Sequence, residues 1–271
     1  MKLGGNPESV DYDRLAGSYA RRYADSPMSG TELALKALLA EQHPRRVLEA
    51  GCGTGHWLQA LQGHGAQLFG LDRSMGMLAA AQQYAAAAPL IRGDACYLPF
   101  QGELFDLVFV VNALHHFAHP EAFLQAVYRT LQPGGCLALI GTDITHCLAN
   151  WYVYDYFPEA EALDRQRFPT WEQVAGWLRT AGFVPGGCRV VETFATTWPG
   201  RSVFEDPFLQ KDSNSTLVLL NDAAYSAGMA RLESDVRTTE RRGETILFRS
   251  KINLCLQTAW KAQGEENDPR N

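Results

Sequence analysis

Between residues 46 and 142 short apolar runs alternate with longer amphipathic stretches, and that rhythm leaves few folds open to the chain. The runs "RVLEA" (46–50), "AQLFGLD" (66–72), "PLIRGD" (89–94), "FDLVFVVN" (105–112) and "GGCLALIGT" (134–142) have the length and apolar content of strands. Between them "HWLQALQGH", "SMGMLAAAQQYAAA" and "PEAFLQAVYRTL" space their apolar residues as helices do. Strands that are apolar throughout must be buried on both faces, and helices joining them in sequence imply a parallel sheet with helices on both sides. The expected fold class is therefore α/β.

Outside this stretch the pattern changes. Residues 10–25 carry a polar helical pattern with Tyr12, Tyr19 and Tyr23, and residues 30–42 form a stronger helix. After Asp143 the rhythm breaks into an aromatic-rich segment, 144–168. "TWEQVAGWLRTAGF" (170–183) reads as a helix closed by Gly182, "GGCRVVETFAT" (186–196) as a strand, 197–243 as irregular and then helical, and 244–262 as a final strand. The polar end from Gln263 onward reads as a tail. With no internal repeat and no low-complexity linker, one domain is expected over residues 1–271. It comprises an N-terminal helical lid at about 8–42, a binding core at about 45–143, and insertions at about 144–170 and 197–243.

Composition excludes several roles. A net charge of -6 and a pI near 5.7 give no electrostatic footprint for a polyanion, so nucleic acid is not an expected partner, even with Arg pairs at 21–22, 45–46 and 241–242. Six cysteines scattered singly, with no CxxC pair, argue against a disulfide framework and against a zinc site; no metal is expected. No apolar run approaches the roughly 18 residues of a membrane span. The start, "MKLGGNPESVDYDR", has too short an apolar stretch for a signal peptide, so a cytoplasmic location is expected. Oligomeric state is left open.

The most informative string is "VLEAGCGTGHW" (47–57). A glycine-rich turn between strand and helix lets a ligand approach the backbone at a helix N-terminus. A P-loop would need GxxxxGK[ST], which is absent, and a dinucleotide fingerprint would need GxGxxG. Here Gly51, Gly53 and Gly55 form GxGxG, with His56 where the third dinucleotide glycine would stand. Seventeen residues past Gly55 the second strand ends at Asp72, an acid placed to accept from both hydroxyls of a ribose. Asp72 thus indicates adenosine without choosing a cofactor.

The string "LEAGCGTGHW" resembles motif I of the class I S-adenosylmethionine-dependent methyltransferases, and "GDACYLPF" (93–100), "FDLVFVVNALHHF" and "LQPGGCLALI" resemble that family's later motifs in the expected order. The group brought to mind is the small-molecule one that includes ubiquinone- and biotin-pathway methyltransferases. The resemblance implies a Rossmann-like methyltransferase fold, a seven-stranded and mostly parallel sheet whose seventh strand is antiparallel, with helices on both faces and a helical, aromatic cap. It implies S-adenosylmethionine as cofactor and S-adenosylhomocysteine as product. The cofactor would meet Glu49, Gly51, Cys52, Gly53, Gly55, Asp72, Arg73, Met75, Asp94, Ala95 and Asn112, with Asp94 accepting from the adenine amine and Met75, rather than Met77, packing on the ring. An N-terminal tyrosine, Tyr19 foremost in that set, would shield the methionine end, although an ordinary amphipathic surface explains these tyrosines equally well.

The implied chemistry is transfer of a methyl group to an oxygen, nitrogen or carbon of a small apolar or aromatic molecule. A sulfonium methyl needs little activation, so catalysis reduces mostly to holding the acceptor in line in a dry site. His115 and His116, just beyond Asn112, are the candidate bases if the acceptor must lose a proton; orienting backbone is their other reading. The aromatics of 146–171, with Trp198, Phe204 and Phe208, suggest the acceptor's lid. Three rivals stay open: a non-catalytic protein that binds S-adenosylmethionine or S-adenosylhomocysteine, a tRNA-modifying methyltransferase, and a nicotinamide-dependent oxidoreductase.

Overall fold

The structure is a computed structural model, and it describes residues 12–13, 28–146, 148–211 and 215–263. Tyr19, Tyr23, Arg22, Cys147 and the polar tail from residue 264 lie outside the described residues.

The elements follow in the order α1 (Ser29–Gln42), β1 (Arg46–Ala50), α2 (His56–Ala60), β2 (Gln67–Asp72), α3 (Met75–Tyr84), β3 (Leu90–Arg92), β4 (Phe105–Val111), α4 (Pro120–Thr130), β5 (Leu131–Gly141), β6 (Leu148–Trp151), α5 (Tyr152–Tyr156), α6 (Pro158–Arg167), α7 (Trp171–Thr180), β7 (Phe183–Pro199), α8 (Asp222–Arg241) and β8 (Leu247–Lys261). Strands β3, β2, β1, β4 and β5 lie side by side in that order, all parallel. The chain's last strand, β8, runs antiparallel beside β5, and β7 pairs with β8 along its length. The seven expected strands are present. A short eighth, β6, pairs with the outer part of β8 where β5 has ended.

The alternation of side chains sorts each central strand onto two faces. Val47, Leu107, Phe109, Cys136 and Ala138 pack on the side of α1 and α2, against Leu35, Leu38, Trp57 and Leu58. Leu48, Val108, Val110, Leu137 and Leu139 pack on the other side, against Phe123, Leu124 and Val127 of α4 and Val174 and Leu178 of α7. Burying one such side chain fully is worth about 1.5–3 kcal/mol, so this double-sided core holds the sheet that carries the site. Helix α7 begins with a capping box between Thr170 and Gln173 and gives way to Gly182 in the left-handed region, φ +95.

A third core belongs to the cap. Tyr152, Val153 and Phe157 of α5 and the turn after it pack with Val203, Leu209 and Leu217, with Leu232 and Val236 of α8, and with Phe248 of β8. Strands β7 and β8 are 17 and 15 residues long, so their hairpin extends past the central sheet and carries this cap over the strand ends. No helix among the described residues is long and apolar enough to cross a membrane.

Candidate functional site

The parallel strands β1, β2 and β4 all end on one side of the sheet, which gathers their loops over a cleft. The loop after β1 turns sharply: Gly51 has φ +75, and its N–H and that of Cys52 both donate to the Leu71 carbonyl at 2.7 and 3.0 Å. A Cβ on Gly51 would fall 2.8 Å from that of Ala113, so no larger residue fits there. Gly53, φ +51, has nothing within 4 Å of where its Cβ would be, so its backbone stands open to the cleft. Gly55 is different in kind. It caps α2 in the left-handed region and packs against Ala81 and Ala85 of α3, away from the cleft lining.

Three acids sit around the cleft. Glu49, in β1, is 1% exposed, and its Oε2 has no hydrogen-bond partner. Burial, and then the charge of Asp72, push its carboxyl well above the usual range, against one N–H from Leu58. Asp72 closes β2; its Oδ2 accepts from Gly53 N–H at 2.8 Å and its Oδ1 from Ser74 N–H at 2.9 Å. Burial raises its pKa even so. Asp94 caps the short turn Ala95–Tyr97 by accepting from Cys96 N–H at 2.8 Å.

These residues line a cleft of about 810 Å³ together with Cys52, Arg73, Ala95 and Asn112. Asn112 holds a positive φ of 50, a conformation rare outside glycine, just past the end of β4. Met75 does not join them: it is 52% exposed, and the buried Met77 lines the cleft instead. The physical reason is helical geometry. Residues two apart stand about 200° apart around a helix, and the inward face of α3 is the one shared by Met77, Leu78 and Ala81. Tyr12 is the N-terminal tyrosine found in the cleft wall.

A second cavity, of about 1220 Å³, opens beside the first and shares Tyr12, Asn112 and His116 with it. Its walls come from Phe168, Trp151 and Tyr154 of the first insertion, Phe208 of the second, and Phe194, Ile252 and Leu254 of the β7–β8 hairpin. His115 lines this cavity and not the first, stacked on Phe168 with centroids 3.9 Å apart. His116 stands at the junction of the two, its Nε2 2.5 Å from the Tyr12 hydroxyl and its Nδ1 3.4 Å from Arg167 Nη2.

Sequence reasoning missed the buried polar groups around this cavity. Asp164 pairs with Arg167 at 3.2 Å and accepts from Tyr154 and Thr216, both at 2.8 Å. Asp206 accepts from the Tyr152 hydroxyl at 2.7 Å and from Phe208 N–H at 2.9 Å. Asp143 binds the end of β5 to α7 by accepting from Trp171, Thr145 and His146; burial acts to raise its pKa, but these donors outweigh it and the net shift is downward. Nothing local marks these acids in the sequence, apart from the turn-forming "EDP" around Asp206. Among the described residues no group of three or more His, Cys, Asp or Glu is arranged to hold a metal.

Comparison with known proteins agrees with this geometry. Residues 48–139 match the family described as a methyltransferase domain. The chain is 34% identical over 140 residues to a malonyl-[acyl-carrier protein] O-methyltransferase of Enterobacter lignolyticus, covering 48% of this chain and 56% of that one. It is 26% identical over 203 residues to a demethylmenaquinone methyltransferase of Clavibacter sepedonicus, covering 65% and 81%. The chain thus spans about half the length of the first of these. The structure of a phosphoethanolamine N-methyltransferase of Haemonchus contortus, in complex with phosphomonomethylethanolamine and S-adenosylhomocysteine, superposes with a TM-score of 0.51 at 21% identity over 95% of this chain and 62% of that one. Residues 48–139 thus form a methyltransferase domain, and the strand order and the motif order agree with that match.

Proposed function

We propose that the first cavity holds S-adenosylmethionine, that the second holds a small apolar or aromatic acceptor, and that a methyl group passes between them to an oxygen, nitrogen or carbon of that acceptor. The observation that carries this reading is the junction itself: two adjoining cavities share Tyr12, Asn112 and His116.

The residues present fit the cofactor. The unpartnered Oε2 of buried Glu49 would accept from an ammonium, which a buried carboxylate needs if it is to stay charged. Open space above Gly53 allows the methionine portion to lie against the backbone. Asp72, with each oxygen receiving one N–H and lone pairs remaining, would take the ribose hydroxyls, and Asp94 the adenine amine. Cys52, Arg73, Met77 and Ala95 complete the wall, while Gly55 acts through the packing of α2. When bound, the cofactor supplies a sulfonium methyl, an electrophile that needs no metal.

The chain's own part in the reaction is to align and to exclude water. The aromatic walls hold the acceptor in one orientation, which is worth up to about 7–11 kcal/mol in a transfer between two bound groups. If the acceptor loses a proton, His115, which lines the acceptor cavity and not the cofactor cleft, is the candidate base. Cys96 and Cys136 are not nucleophiles at neutral pH, because burial pushes both thiols up to about 11. Both are reduced and unlinked, as a reducing compartment favours, and a cytoplasmic location is part of the proposal.

Calorimetry of the purified protein with S-adenosylmethionine, S-adenosylhomocysteine and NAD tests the reading. Micromolar binding of the first two and none of NAD is expected. Binding of NAD alone would overturn it.

A further inference from the structure

The acceptor cavity contains one buried carboxylate with a cation and one without. Asp164 is 2% exposed and has Arg167 beside it. Asp206 is 3% exposed, and its contacts are two neutral donors, the Tyr152 hydroxyl and Phe208 N–H; among the described residues no basic group pairs with it. A buried carboxylate held by neutral hydrogen bonds alone still carries a desolvation cost that an opposite charge would relieve.

A second buried group points to the same end of the cavity. Ser250 of β8 is 8% exposed, lines the cavity, and its Oγ has no hydrogen-bond partner. Alternate residues of β8 form the cavity floor in the order Leu254, Ile252, Ser250. The next residue on that face, Phe248, enters the cap core against the ring of Tyr152, whose hydroxyl holds Asp206. Leu254 lies one register step from Cys255, the partner of Gly141 at the end of β5, and so near Asn112 and the junction. Four residues of strand span roughly 13 Å. The floor therefore runs from an apolar end at the junction to a polar end at Ser250 and Asp206.

On the methyltransferase reading above, we propose that the acceptor is an elongated amphipathic amine: its ammonium pairs with Asp206 and donates to Ser250, its apolar body lies on Ile252 and Phe194, and its methyl-accepting atom sits at the junction. Phe208 and Trp151, in the same cavity wall, supply aromatic surface that favours a cation over a neutral group. Charge at the far end, not at the reacting end, then sets substrate choice.

The test uses three probes of one length and three charges: 6-phenylhexylamine, 6-phenylhexan-1-ol and 6-phenylhexanoate. Each is titrated by calorimetry into the protein alone and into protein saturated with S-adenosylhomocysteine, whose own binding is measured first. The amine is expected to bind at least about tenfold more tightly than the alcohol, the carboxylate weakest. Asp206→Asn is expected to abolish that preference while remaining folded, because its amide oxygen can still accept from Phe208 N–H and its amide nitrogen can donate to the Tyr152 oxygen. Ser250→Ala is expected to weaken the amine more than the alcohol. An alcohol or carboxylate that binds as well as the amine, a preference that survives Asp206→Asn, or an amine that fails to bind protein loaded with S-adenosylhomocysteine would each overturn the proposal. Amine binding by a protein that takes no S-adenosylhomocysteine would instead sink the methyltransferase reading and leave the amine site standing.

Discussion

The hydroxyl of Tyr12 lies 2.5 Å from Nε2 of His116, and the opposite ring nitrogen of that histidine faces Arg167 at 3.4 Å. A guanidinium only donates, so Nδ1 must accept, and in a neutral imidazole the hydrogen then sits on Nε2 and is donated to the tyrosine oxygen. His116 is thereby a donor at the junction of the two cavities, with its lone pair engaged by Arg167. This is why His115, rather than either histidine equally, is proposed as the base. Tyr12→Phe removes the acceptor and loosens the hold of residue 12 on the cleft wall. A net hydrogen bond of about 1 kcal/mol corresponds to a fall in S-adenosylhomocysteine affinity of roughly fivefold, readable by calorimetry. An unchanged affinity would show that Tyr12 does not close over the cofactor.

Asp72→Ala removes the acceptor of Gly53 N–H and the proposed ribose contact at once. Charge-assisted bonds of this kind are worth about 1.5–3 kcal/mol, so cofactor affinity should drop about tenfold to a hundredfold. The variant should stay folded, because burial already disfavours the charged form of Asp72. Retention of wild-type affinity in a folded Asp72→Ala protein would exclude it from the site.

The parts of the molecule legible in the sequence are those whose cause is local. Strands β1, β2, β4 and β5 could be read because burial in the sheet makes each a nearly continuous apolar run, and the cleft acids because each lies at a strand end beside a turn. Strand β7 reads as 186–196 yet runs Phe183–Pro199, since its outer pairs with β8, such as Trp198 with Phe248, extend under the cap where no alternation marks them. The choice between Met75 and Met77 rests on about half a helical turn, which a sequence does not resolve. The acceptor cavity was not legible at all beyond its aromatic content. Asp164, Asp206 and Ser250 meet there from three distant segments, and their roles come from burial that only the folded hairpin creates.

Gly228 is one of the points at which α8 touches the cap core. A Cβ there would fall 2.2 Å from Cε1 of Phe157, a fully buried ring. Alanine raises helix propensity by roughly 1 kcal/mol, but Phe157 has no space to retreat into, and overpacking costs about 1–3 kcal/mol. Steric cost should win, so Gly228→Ala should lower the thermal midpoint by at least a few degrees. A variant more stable than wild type would mean that the helix shifts freely and that the cap is not packed as described.

Glu49 contributes to the pH dependence of the protein without cofactor. Its carboxyl titrates near 4.5 in an unfolded chain and well above that when folded, because burial and Asp72 both oppose its charge. Between those two values the folded state holds a proton that the unfolded state has lost, so stability is highest at the acid end of the window and falls as pH rises, by about 1.4 kcal/mol per unit. The depressed pKa of Asp143 acts below its usual 3.8; the raised pKa values of Asp72 and Asp164 add to the Glu49 slope above 3.8, and the lowered pKa of His56 opposes it below 6.5. Glu49→Gln removes the buried charge and should take its share out of the slope, giving a higher thermal midpoint than wild type at pH 7. The same change should weaken S-adenosylmethionine binding at least about tenfold, since the unpartnered oxygen that makes Glu49 costly is the one proposed to receive the ammonium. Thermal unfolding from pH 4.5 to 8, with and without S-adenosylmethionine, measures both effects. A variant that is neither stabilised without cofactor nor impaired in binding it would show that Glu49 is a structural carboxyl and not the anchor of the methionine end.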